Sequence, residues 1–472
     1  MEPHGLGASF HSRRAQLVGP AVAEQIVADV IELGWPVGQV LGSETELLDR
    51  YGISRAVLRE AVRLVEHQRV ARMRRGPGGG LVIDEPDIST VINAVILHLL
   101  RVDATLADVI DTRLVLEEFV AESAAERATE ADIAPIRQTL RDEAAGDWKH
   151  DRLLHAALAS LTGNPVLDLF VDILTRVSDF FNVAADALPP RLRTQARKAH
   201  EQIAQAVLTN NPGLARVRMR QHLLAQADFV EKHDKSFQRL PAAAALQGAA
   251  GDKRAEAVAR EIFATILEEK QAPASFIGSE ASLMSEHSAS RAVVREAVRI
   301  LDYHHIATMR RGPGGGLFVA APDSSAVTDI VAIYLRRRGV SANHVVEMLT
   351  GLELAVVERV AQRLADEDGD VAAPLRAYLE TGPAGGPHPG LDWHSLLASL
   401  TGNSTLELLH RVVMRLGWLF FSRLAEVDPN VRQLSEPAAI DPVHQGITEA
   451  LLAGDKELAM MRMRAHRSPP DA

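Results

Sequence analysis

Four residues with metal-ligating side chains lie in the first half of the sequence, in segments with helical periodicity. Asp151 and His155 are four residues apart, which places both on one face of a helix, and His200 and His222 follow on two further amphipathic segments. One carboxylate and three imidazoles can hold a borderline divalent cation such as Zn²⁺, Ni²⁺ or Mn²⁺, with positions left for water or a ligand carboxylate. Because the chain has 18 His, a chance pattern is the alternative.

The histidine pattern occurs a second time, which argues against chance. His394 aligns with the first histidine of the earlier set, and His444 and His466 repeat the 22-residue gap between the other two. The aspartate is not repeated: Gly390 stands at its position, and Asp392 is displaced by two residues onto another side of the helix. This second set is expected to bind metal weakly through three histidines, or to be only a structural partner.

The repeated histidines belong to a repeat of the whole chain. RAVLREAVRL at 55–64 returns as RAVVREAVRI at 291–300, 236 residues later. LASLTGN at 158–164 returns at 397–403, 239 residues later. A period of about 230 residues is far too long for a solenoid, so it predicts a tandem duplication of a complete two-domain protein.

A second candidate site is a cluster of arginines near the N-terminus. Arg55, Arg59 and Arg63 are spaced by four residues and share one face of a predicted helix, while apolar residues cover the other face. Residues 54–75 contain seven Arg and two Glu, within a chain that has 51 Lys and Arg, 62 Asp and Glu and a net charge of −11. Although a solvated helix face is the ordinary interpretation of an arginine stripe, this local excess predicts an anionic partner.

Helix caps and a hairpin surround this basic helix. Ser43 and Glu46 have the spacing of a capping box, and Gly52 ends the helix that they begin, so a short helix, a turn and the basic helix form a helix-turn-helix pattern. ARMRR and LVI then alternate like strands on either side of GPGGG, which predicts a hairpin with Arg74 and Arg75 beside its tip. GPGGG lacks the Lys-Ser/Thr of a phosphate-binding loop.

These elements together predict a winged helix-turn-helix that binds double-stranded DNA. The basic helix would enter the major groove, where Arg55 and Arg59 would reach guanine O6 and N7, and the wing would lie against the phosphate backbone. In the second copy, residues 290–311 have five Arg against one Glu and one Asp. The second DNA-binding module is therefore expected to bind more weakly.

Composition and hydropathy limit the remaining possibilities. The chain has 472 residues, 47% of them apolar, so it can build several domain cores. Zero Cys excludes disulfides and thiolate metal sites. The longest apolar stretch, near 91–100, is too short to span a bilayer, and we expect a soluble, cytoplasmic protein without a membrane partner.

Both copies resemble the FadR branch of the GntR family of bacterial transcription regulators. GSETELLDRYGISRAVLREAVRLVEHQRVARMRRGPGGGLVI at 42–83 and GSEASLMSEHSASRAVVREAVRILDYHHIATMRRGPGGGLFV at 278–319 are similar to its winged helix-turn-helix, and the regions that follow resemble its FCD ligand-binding domain. The residues expected to contact DNA are Arg55, Arg59, Arg63, Arg74, Arg75, Gly78 and Gly79 in the first copy and Arg291, Arg295, Arg310, Arg311, Gly314 and Gly315 in the second.

The resemblance implies a mainly α fold with two winged helix-turn-helix domains, each α with a small β wing, and two all-α antiparallel helical bundles in tandem order. The second bundle is expected to be degenerate. The predicted boundaries are a flexible tail at 1–16, a winged-helix module at 17–85, an FCD-like helical module at 86–233, a linker at 234–252, a second winged-helix module at 253–321 and a second helical module at 322–468.

The resemblance also implies a site for metal and effector in the first helical module. Arg113 matches the arginine that faces a small carboxylate effector in relatives, whereas the ordinary alternative is a surface salt bridge to Glu117, four residues later. In the second copy, Leu349 replaces this arginine and Glu353 retains the glutamate. The family's metal ligands correspond to Asp151, His155, His200 and His222.

The predicted function is a sequence-specific transcription regulator, a repressor, controlled by a divalent metal and a small organic acid. Its two copies would pair within one chain as a pseudo-dimer on an imperfect inverted repeat, with further homodimerisation left open. One alternative is a metal-dependent hydrolase in which the Asp/His₃ site activates water. The other is a metal or ligand sensor that no longer binds DNA.

Overall fold

The protein is mainly α-helical in its computed structural model, which confirms the predicted fold class. The part of the chain that the structure describes contains 20 helices and two three-stranded antiparallel sheets. The predicted tail and the predicted linker lie outside this part. The described residues are 19–76, 78–86, 88–145, 152–183, 190–232, 253–310, 312, 314–382, 389–427 and 441–467.

The described residues form two compact units. The first unit contains the residues up to Val91 together with Asp329–Gly339, and the second contains Ile92–Thr328 together with the residues from Val340 onward. Two helices, α4 (Ile88–Arg101) and α14 (Ser324–Arg337), have residues in both units. The chain therefore passes between the units within continuous helices.

The first unit is built around a winged helix-turn-helix. The elements are α1 (Gly19–Glu32), β1 (Val40–Gly42), α2 (Glu44–Tyr51), α3 (Arg55–His67), β2 (Ala71–Arg74) and β3 (Gly80–Ile83). The sheet has the order β1-β3-β2, and Val22, Ile26, Leu58 and Val65 are buried between helices α1 and α3 and the sheet. Ile333, from the segment Asp329–Gly339, belongs to the same core. The strand β1 was not predicted from the sequence.

Local hydrogen bonds explain where α2 and α3 begin. The Ser43 hydroxyl accepts from the backbone NH of Glu46, and the Glu46 carboxylate accepts from the backbone NH of Ser43, which is the predicted capping box. Gly52 ends α2 with φ 63°, a left-handed conformation that favours glycine. Ser54 then caps α3 through the backbone NH of Val57. These interactions set the turn of the helix-turn-helix.

In the second unit, the first helical module is organised around α5 (Leu106–Arg127). This helix packs against α7, α8, α9 and α10, and it is buried on several sides, which explains why its apolar residues do not form a single stripe. The other helices of the module are α6 (Glu130–Ala145), α7 (Leu153–Leu161), α8 (Pro165–Val183), α9 (Pro190–Leu208) and α10 (Pro212–Lys232).

The second copy repeats this architecture within the second unit. Its winged-helix elements are α11 (Lys253–Glu268), β4 (Phe276–Gly278), α12 (Glu280–Glu286), α13 (Arg291–Tyr303), β5 (Ala307–Arg310) and β6 (Gly316–Val319). The central helix of its helical module is α15 (Ala342–Ala365). The helices around it are α16 (Ala372–Thr381), α17 (Pro389–Ser399), α18 (Ser404–Val427), α19 (Pro442–Leu452) and α20 (Lys456–Arg467).

The two helical modules contact each other through equivalent residues. Asn164 Nδ2 donates to the backbone oxygen of His344 at 3.0 Å, and Asn403 Nδ2 donates to the backbone oxygen of Asp108 at 2.9 Å. The two asparagines occupy the same position of the repeated LTGN segment, 239 residues apart, and Asp108 and His344 occupy equivalent positions 236 residues apart. Each module therefore presents the same donor and the same acceptor to the other.

Arg101, the last residue of α4, contacts the second winged-helix module. Its guanidinium donates to the backbone oxygens of His305, at 2.8 Å, and Ile306, at 3.1 Å, and also to that of Ala320. His305 and Ile306 follow the C-terminal end of α13, and the backbone oxygen of Ile306 also accepts from the backbone NH of Ala320 at 3.0 Å. A helix of the first copy is thus hydrogen-bonded to the segment that follows the basic helix of the second.

Candidate metal centre and nucleic-acid interface

Three of the four predicted metal ligands converge inside the first helical module. His155 on α7, His200 on α9 and His222 on α10 each offer a ring nitrogen, and these nitrogens lie within 4.8 Å of one another. All three side chains are buried, with at most 4% of each residue exposed. Asp151, the fourth predicted ligand, lies outside the described residues. The structure brings the histidines together into one buried cluster.

Two buried glutamates determine how the first two histidines are oriented. Glu117 Oε2 contacts Nδ1 of His155, and Glu143 Oε2 lies 2.9 Å from Nδ1 of His200. The other oxygen of Glu143 accepts from the backbone NH of Leu154 at the start of α7. A carboxylate that accepts from Nδ1 leaves the Nε2 lone pair of a neutral imidazole available to a metal.

The third histidine is oriented by an amide rather than a carboxylate. Gln226 Oε1 accepts from Arg113 at 3.2 Å, which turns the amide nitrogen of Gln226 toward Nε2 of His222, 3.3 Å away. His222 Nε2 therefore accepts from Gln226, and it lies 3.2 Å from Nε2 of His200. Because Nε2 has a single lone pair, a metal bound there would take the place of the Gln226 hydrogen bond. This donor set fits a divalent metal.

The electrostatics of the cluster favour the neutral forms of His155 and His222. Burial lowers the pKa of His222 well below its usual value, and the neighbouring histidines and Arg113 lower it further. Burial also lowers the pKa of His155, although Glu117 opposes this change. Since the neutral form of histidine is the one that ligates metals, the site is poised for coordination at neutral pH.

Arg113 is part of the support of this cluster. It is buried, its Nε donates to Glu117 Oε1 at 2.5 Å, and its Nη1 lies 3.4 Å from Ser178 Oγ. Burial raises the pKa of Glu117, but the charges and hydrogen bonds of Arg113 and His155 outweigh it and lower that pKa to about 2. The salt bridge considered from the sequence is therefore present, but it is buried rather than on the surface.

Glu143 was missed by the sequence analysis. It is 1% exposed and lies seven residues after Ile136, the other buried side chain of α6. A charged residue on the buried face of an amphipathic helix needs a partner, and this position was the available signal. The identity of the partner, His200, depends on how α6 packs against α9.

The second histidine set also converges, but its surroundings differ. His394, His444 and His466 offer ring nitrogens within 4.8 Å of one another, and Nδ1 of His394 lies 2.8 Å from Glu353 Oε1. The ring of His444 stacks on Trp393, with centroids 4.1 Å apart and planes at 9°. Trp393 aligns with a leucine of the first copy. An aromatic stack thus replaces part of the polar support.

The buried arginine of the first copy is also replaced in the second. Leu349 stands at its position, and His410 on α18 approaches the buried Glu353 instead, with Nε2 3.6 Å from Oε1. His410 is fully buried, and neither of its ring nitrogens makes a hydrogen bond within the described residues. A titratable imidazole has taken the place of a permanent cation.

The predicted DNA-contacting arginines of the first copy are available on the surface. Arg55, Arg59 and Arg63 are exposed on α3, while Leu58 and Val65 bury the opposite face. Arg74 and Arg75 are exposed beside the wing turn. The structure therefore separates a basic face from an apolar face on α3, as the spacing indicated.

The wing glycines have a conformational role. A Cβ at Gly79 would lie 2.3 Å from the backbone oxygen of Arg74, and Gly78 has φ +70°, so side chains at either position would strain the turn. Gly314, which aligns with Gly78, has φ +74°. Gly315 follows it in the second wing.

The second copy also exposes its predicted contacts. Arg291 and Arg295 lie on the exposed face of α13, and Arg310 is exposed at the end of β5. Arg311 lies outside the described residues. Both basic helices therefore present their first two arginines to solvent.

Comparison with known proteins places these modules in a family. The FCD domain profile matches residues 108–225 and 344–468, together just over half of the chain, and the profile of the bacterial regulatory proteins of the gntR family matches residues 20–80. The chain is 28% identical over 214 residues to the Uxu operon regulator of Haemophilus influenzae, covering 43% of this chain and 77% of that protein.

Two further relatives also cover less than half of this chain. The HTH-type transcriptional regulator LutR of Bacillus subtilis is 26% identical over 207 residues, covering 41% of this chain and 92% of that protein. The Glc operon transcriptional activator of Escherichia coli is 28% identical over 219 residues, covering 43% and 84%. The structure of Streptococcus agalactiae GntR covers 45% of this chain and 100% of that chain, at 22% identity and a TM-score of 0.34.

These matches bear on the alternatives left open by the sequence. Among the described residues, no helix combines the length and apolarity that a membrane crossing requires. The named relatives are regulators of transcription, so the metal-hydrolase alternative is wrong. The chain belongs to the family of proteins with the FCD domain, which it carries twice, and residues 20–80 match the gntR family of bacterial regulatory proteins, so it is a DNA-binding transcription regulator rather than an enzyme.

Proposed function

We propose that this chain is a FadR-branch repressor in which a tandem duplication has joined two protomers into one polypeptide. The observation that carries this proposal is the reciprocal contact of Asn164 with residue 344 and of Asn403 with residue 108. In a two-fold symmetric dimer, residue i contacts j and j contacts i, and the same relation holds here within one chain. That each relative matches less than half of this chain supports the proposal.

The DNA partner would be a duplex operator with two unequal half-sites. The arginines of α3 and α13 would read base edges in successive major grooves, and the wings would contact phosphates. Because the two modules differ in sequence, the operator would be an imperfect inverted repeat. A regulator of chromosomal operators acts in the bacterial cytoplasm, where we place this protein.

The first helical module would provide control by metal and effector. Nε2 of His155, His200 and His222 would hold a Zn²⁺, Ni²⁺ or Mn²⁺ ion, with Asp151 as a further candidate ligand. The bound cation would supply a positive charge and open positions for a small carboxylate. Arg113 would add its guanidinium on the side of Gln226, and the second helical module would serve as the weaker partner.

The carboxylate of an effector would compete with Glu117 and Gln226 for Arg113, which already supports the histidine cluster. Arg113 donates to Glu117 and Gln226, and these two residues orient His155 and His222. A ligand that draws Arg113 away would therefore alter the histidine cluster and the packing of α5, which contacts α15 and α18 of the other copy. Effector binding would change how the two copies pair and release the operator.

A binding titration on duplex DNA flanking the coding region tests this proposal. Fluorescence anisotropy would compare the wild-type chain, Arg55→Ala/Arg59→Ala and Arg291→Ala/Arg295→Ala, with and without chelator. Each good bidentate contact contributes about 1–3 kcal/mol of discrimination, so loss of two should weaken binding by at least about tenfold. Arg137→Ala/Arg141→Ala, on the exposed face of α6, is the matched control.

The outcomes separate the possible arrangements. Losses from both double variants, with one chain per operator in sedimentation, support the intramolecular pseudo-dimer. A loss from the first pair alone, with two chains per operator, contradicts it. If the wild type binds metal but no DNA of any sequence, the protein is a sensor that no longer binds DNA, and the repressor proposal fails.

A further inference from the structure

Equivalent glutamates stand beside the basic helix in the two winged-helix modules. Glu44 is the first residue of α2 and Glu280 is the first residue of α12, 236 residues later. In the first module, Glu44 Oε1 lies 3.8 Å from Arg55 Nε, and both side chains are more than half exposed. Within the described residues, Arg59 makes no ion pair. The first basic helix is therefore largely free to meet an anion.

The second module holds both arginines with one carboxylate oxygen. Glu280 Oε1 accepts from Arg295 Nε at 2.7 Å and lies 3.5 Å from Arg291 Nε. The Glu280 side chain is 30% exposed, against 56% for Glu44, because it lies between the two guanidinium groups. The same residue type at the same position thus makes a different interaction in each copy.

This ion pair competes with DNA for the same donors. Arginine recognises guanine through two NH groups directed at O6 and N7, so a carboxylate bound to Nε restrains the side chain in another geometry. The carboxylate also brings negative charge toward the phosphates. To hydrogen-bond a base edge, Arg291 and Arg295 must first break the ion pair with Glu280. Otherwise the negative charge of Glu280 enters the major groove of the DNA with them.

We infer that Glu280 is a specificity-determining residue that restrains Arg291 and Arg295 and so weakens the reading of the second half-site relative to the first. This inference rests on the proposed DNA-binding function of the second module. It goes beyond that function because it assigns the inequality of the two modules to one side chain. The expected consequence is an operator with one strict and one permissive half-site.

The wings do not show the same inequality. The Arg310 guanidinium lies 4.3 Å from the ring centroid of Phe318, a cation-π contact. In the first copy Val82 stands at the position of that ring, and Arg74 donates instead to the backbone oxygen of Gly78. Both wing arginines therefore make a contact within the protein, and the difference between the modules lies at Glu44 and Glu280.

The test compares Glu280→Gln with Glu44→Gln in the full-length chain. Both substitutions keep the shape of the side chain and remove one negative charge from the start of an exposed helix, so they are matched for fold and net charge. Exposed ion pairs contribute roughly 0.2–1 kcal/mol each, so releasing two of them should tighten DNA binding about two- to thirtyfold in Glu280→Gln. Glu44→Gln should change it by less than about twofold.

The probe is a duplex selected from a random pool by the wild-type chain, with single base changes in each half-site. Anisotropy titrations at several salt concentrations measure affinity, and the base changes measure specificity. Glu280→Gln should increase the penalty for base changes in the second half-site only. Adding Arg291→Ala/Arg295→Ala to Glu280→Gln should remove the gain.

Each result has a distinct meaning. Equal tightening by Glu280→Gln and Glu44→Gln, with no change in half-site specificity, would show a general charge effect and overturn the inference. Failure of the wild type to select any duplex would instead overturn the proposed function, and the inference with it. A gain that survives removal of both arginines would also contradict the role assigned to Glu280.

Discussion

The buried carboxylates of the two helical modules, Glu117 and Glu353, are compensated by different partners. Glu117 is paired with Arg113, a permanent cation on its own helix, and with His155. Glu353 is paired with His394 and approached by His410 from another helix. An ionised carboxylate in a protein interior requires a partner, but the fold does not dictate which residue supplies it.

The histidine clusters of the two helical modules also differ in what surrounds them. Both copies keep three histidines at corresponding positions, yet Glu143 supports His200 in one, whereas Trp393 stacks on His444 in the other. The three histidines can therefore keep their positions while the residues that orient them change. Because such support orients the ligand nitrogens, we expect the two clusters to differ in metal affinity.

The largest expected effect comes from removing the carboxylate of the first copy. Glu117→Gln leaves Arg113 as a buried charge without its counter-charge, and breaking such a pair costs about 3–5 kcal/mol in free energy of unfolding. Glu353→Gln should cost about 1–3 kcal/mol, because its partners are histidines and no permanently charged arginine is left without a counter-charge. Urea unfolding of the metal-free chain measures the free energy of unfolding of both variants. Equal decreases in the two variants would contradict the difference between Glu117 and Glu353.

The same pair predicts a dependence on pH. The pKa of Glu117 is lowered from 4.5 to about 2 in the folded chain. The unfolded chain therefore takes up the proton first as the pH falls, so the stabilisation is complete above about pH 4.5 and is lost toward about pH 2. The difference in unfolding free energy between wild type and Glu117→Gln should shrink over this interval, and a constant difference would refute the assignment.

Arg101 and its equivalent, Arg337, offer a second comparison. Arg101 donates to three backbone oxygens of the second winged-helix module, whereas Arg337 pairs with the exposed side chain of Glu85. Arg101→Ala should destabilise the second module by about 2–3 kcal/mol, because it leaves carbonyls without a charged donor. Arg337→Ala should cost about 1 kcal/mol or less. Amide hydrogen exchange near Ile306 measures the first effect.

A smaller effect is expected for the support of the metal cluster. Glu143→Gln should weaken metal binding about 10- to 100-fold, the usual cost of losing a residue that orients a ligand. Asp142→Asn, one residue earlier and exposed on the same helix, is the control and should leave the affinity unchanged. Calorimetric titration of the chelator-treated chain with Zn²⁺ measures both. Equal affinities for Glu143→Gln and wild type would remove Glu143 from the site.

The smallest difference concerns the caps of the helix-turn-helix. Glu46 completes a capping box with Ser43, whereas Ser282, at the equivalent position, only bonds to Ser279. Glu46→Ala should lower the stability of α2 against local opening by about 0.5–1 kcal/mol, and Ser282→Ala should lower that of α12 by a few tenths. Amide hydrogen exchange in the two helices measures both effects. A larger increase in exchange rate for Ser282→Ala in α12 than for Glu46→Ala in α2 would contradict this prediction.

The local features of the fold could be predicted because their causes lie within a few residues. Ser43, Glu46 and Gly52 mark both ends of α2, and the four-residue spacing of the arginines puts them on one face of α3. The histidines could be proposed as a cluster because their spacing recurs in the second copy. Strand β1 was missed because it has three residues and is defined by pairing with β3.

The i,i+4 pair of Arg113 and Glu117 could be proposed from the sequence, but the partners that are distant in the chain could not. Glu143 contacts His200, which is 57 residues further along the chain. The hydrogen bonds of Asn164 and Asn403 join one copy to the other. The replacement of Arg113 by His410 involves two different helices, so no alignment position records it.

The sequence by itself determined the order of the modules, the faces of their helices and the residue types at both candidate sites, because periodicity, caps and repeats act over short distances. Only the tertiary structure decided which carboxylate orients which histidine and which arginines are restrained by Glu280. These pairings depend on how helices that are far apart in the chain pack together. Where the packing buries a charged side chain, the charge needs a partner because burial removes its water.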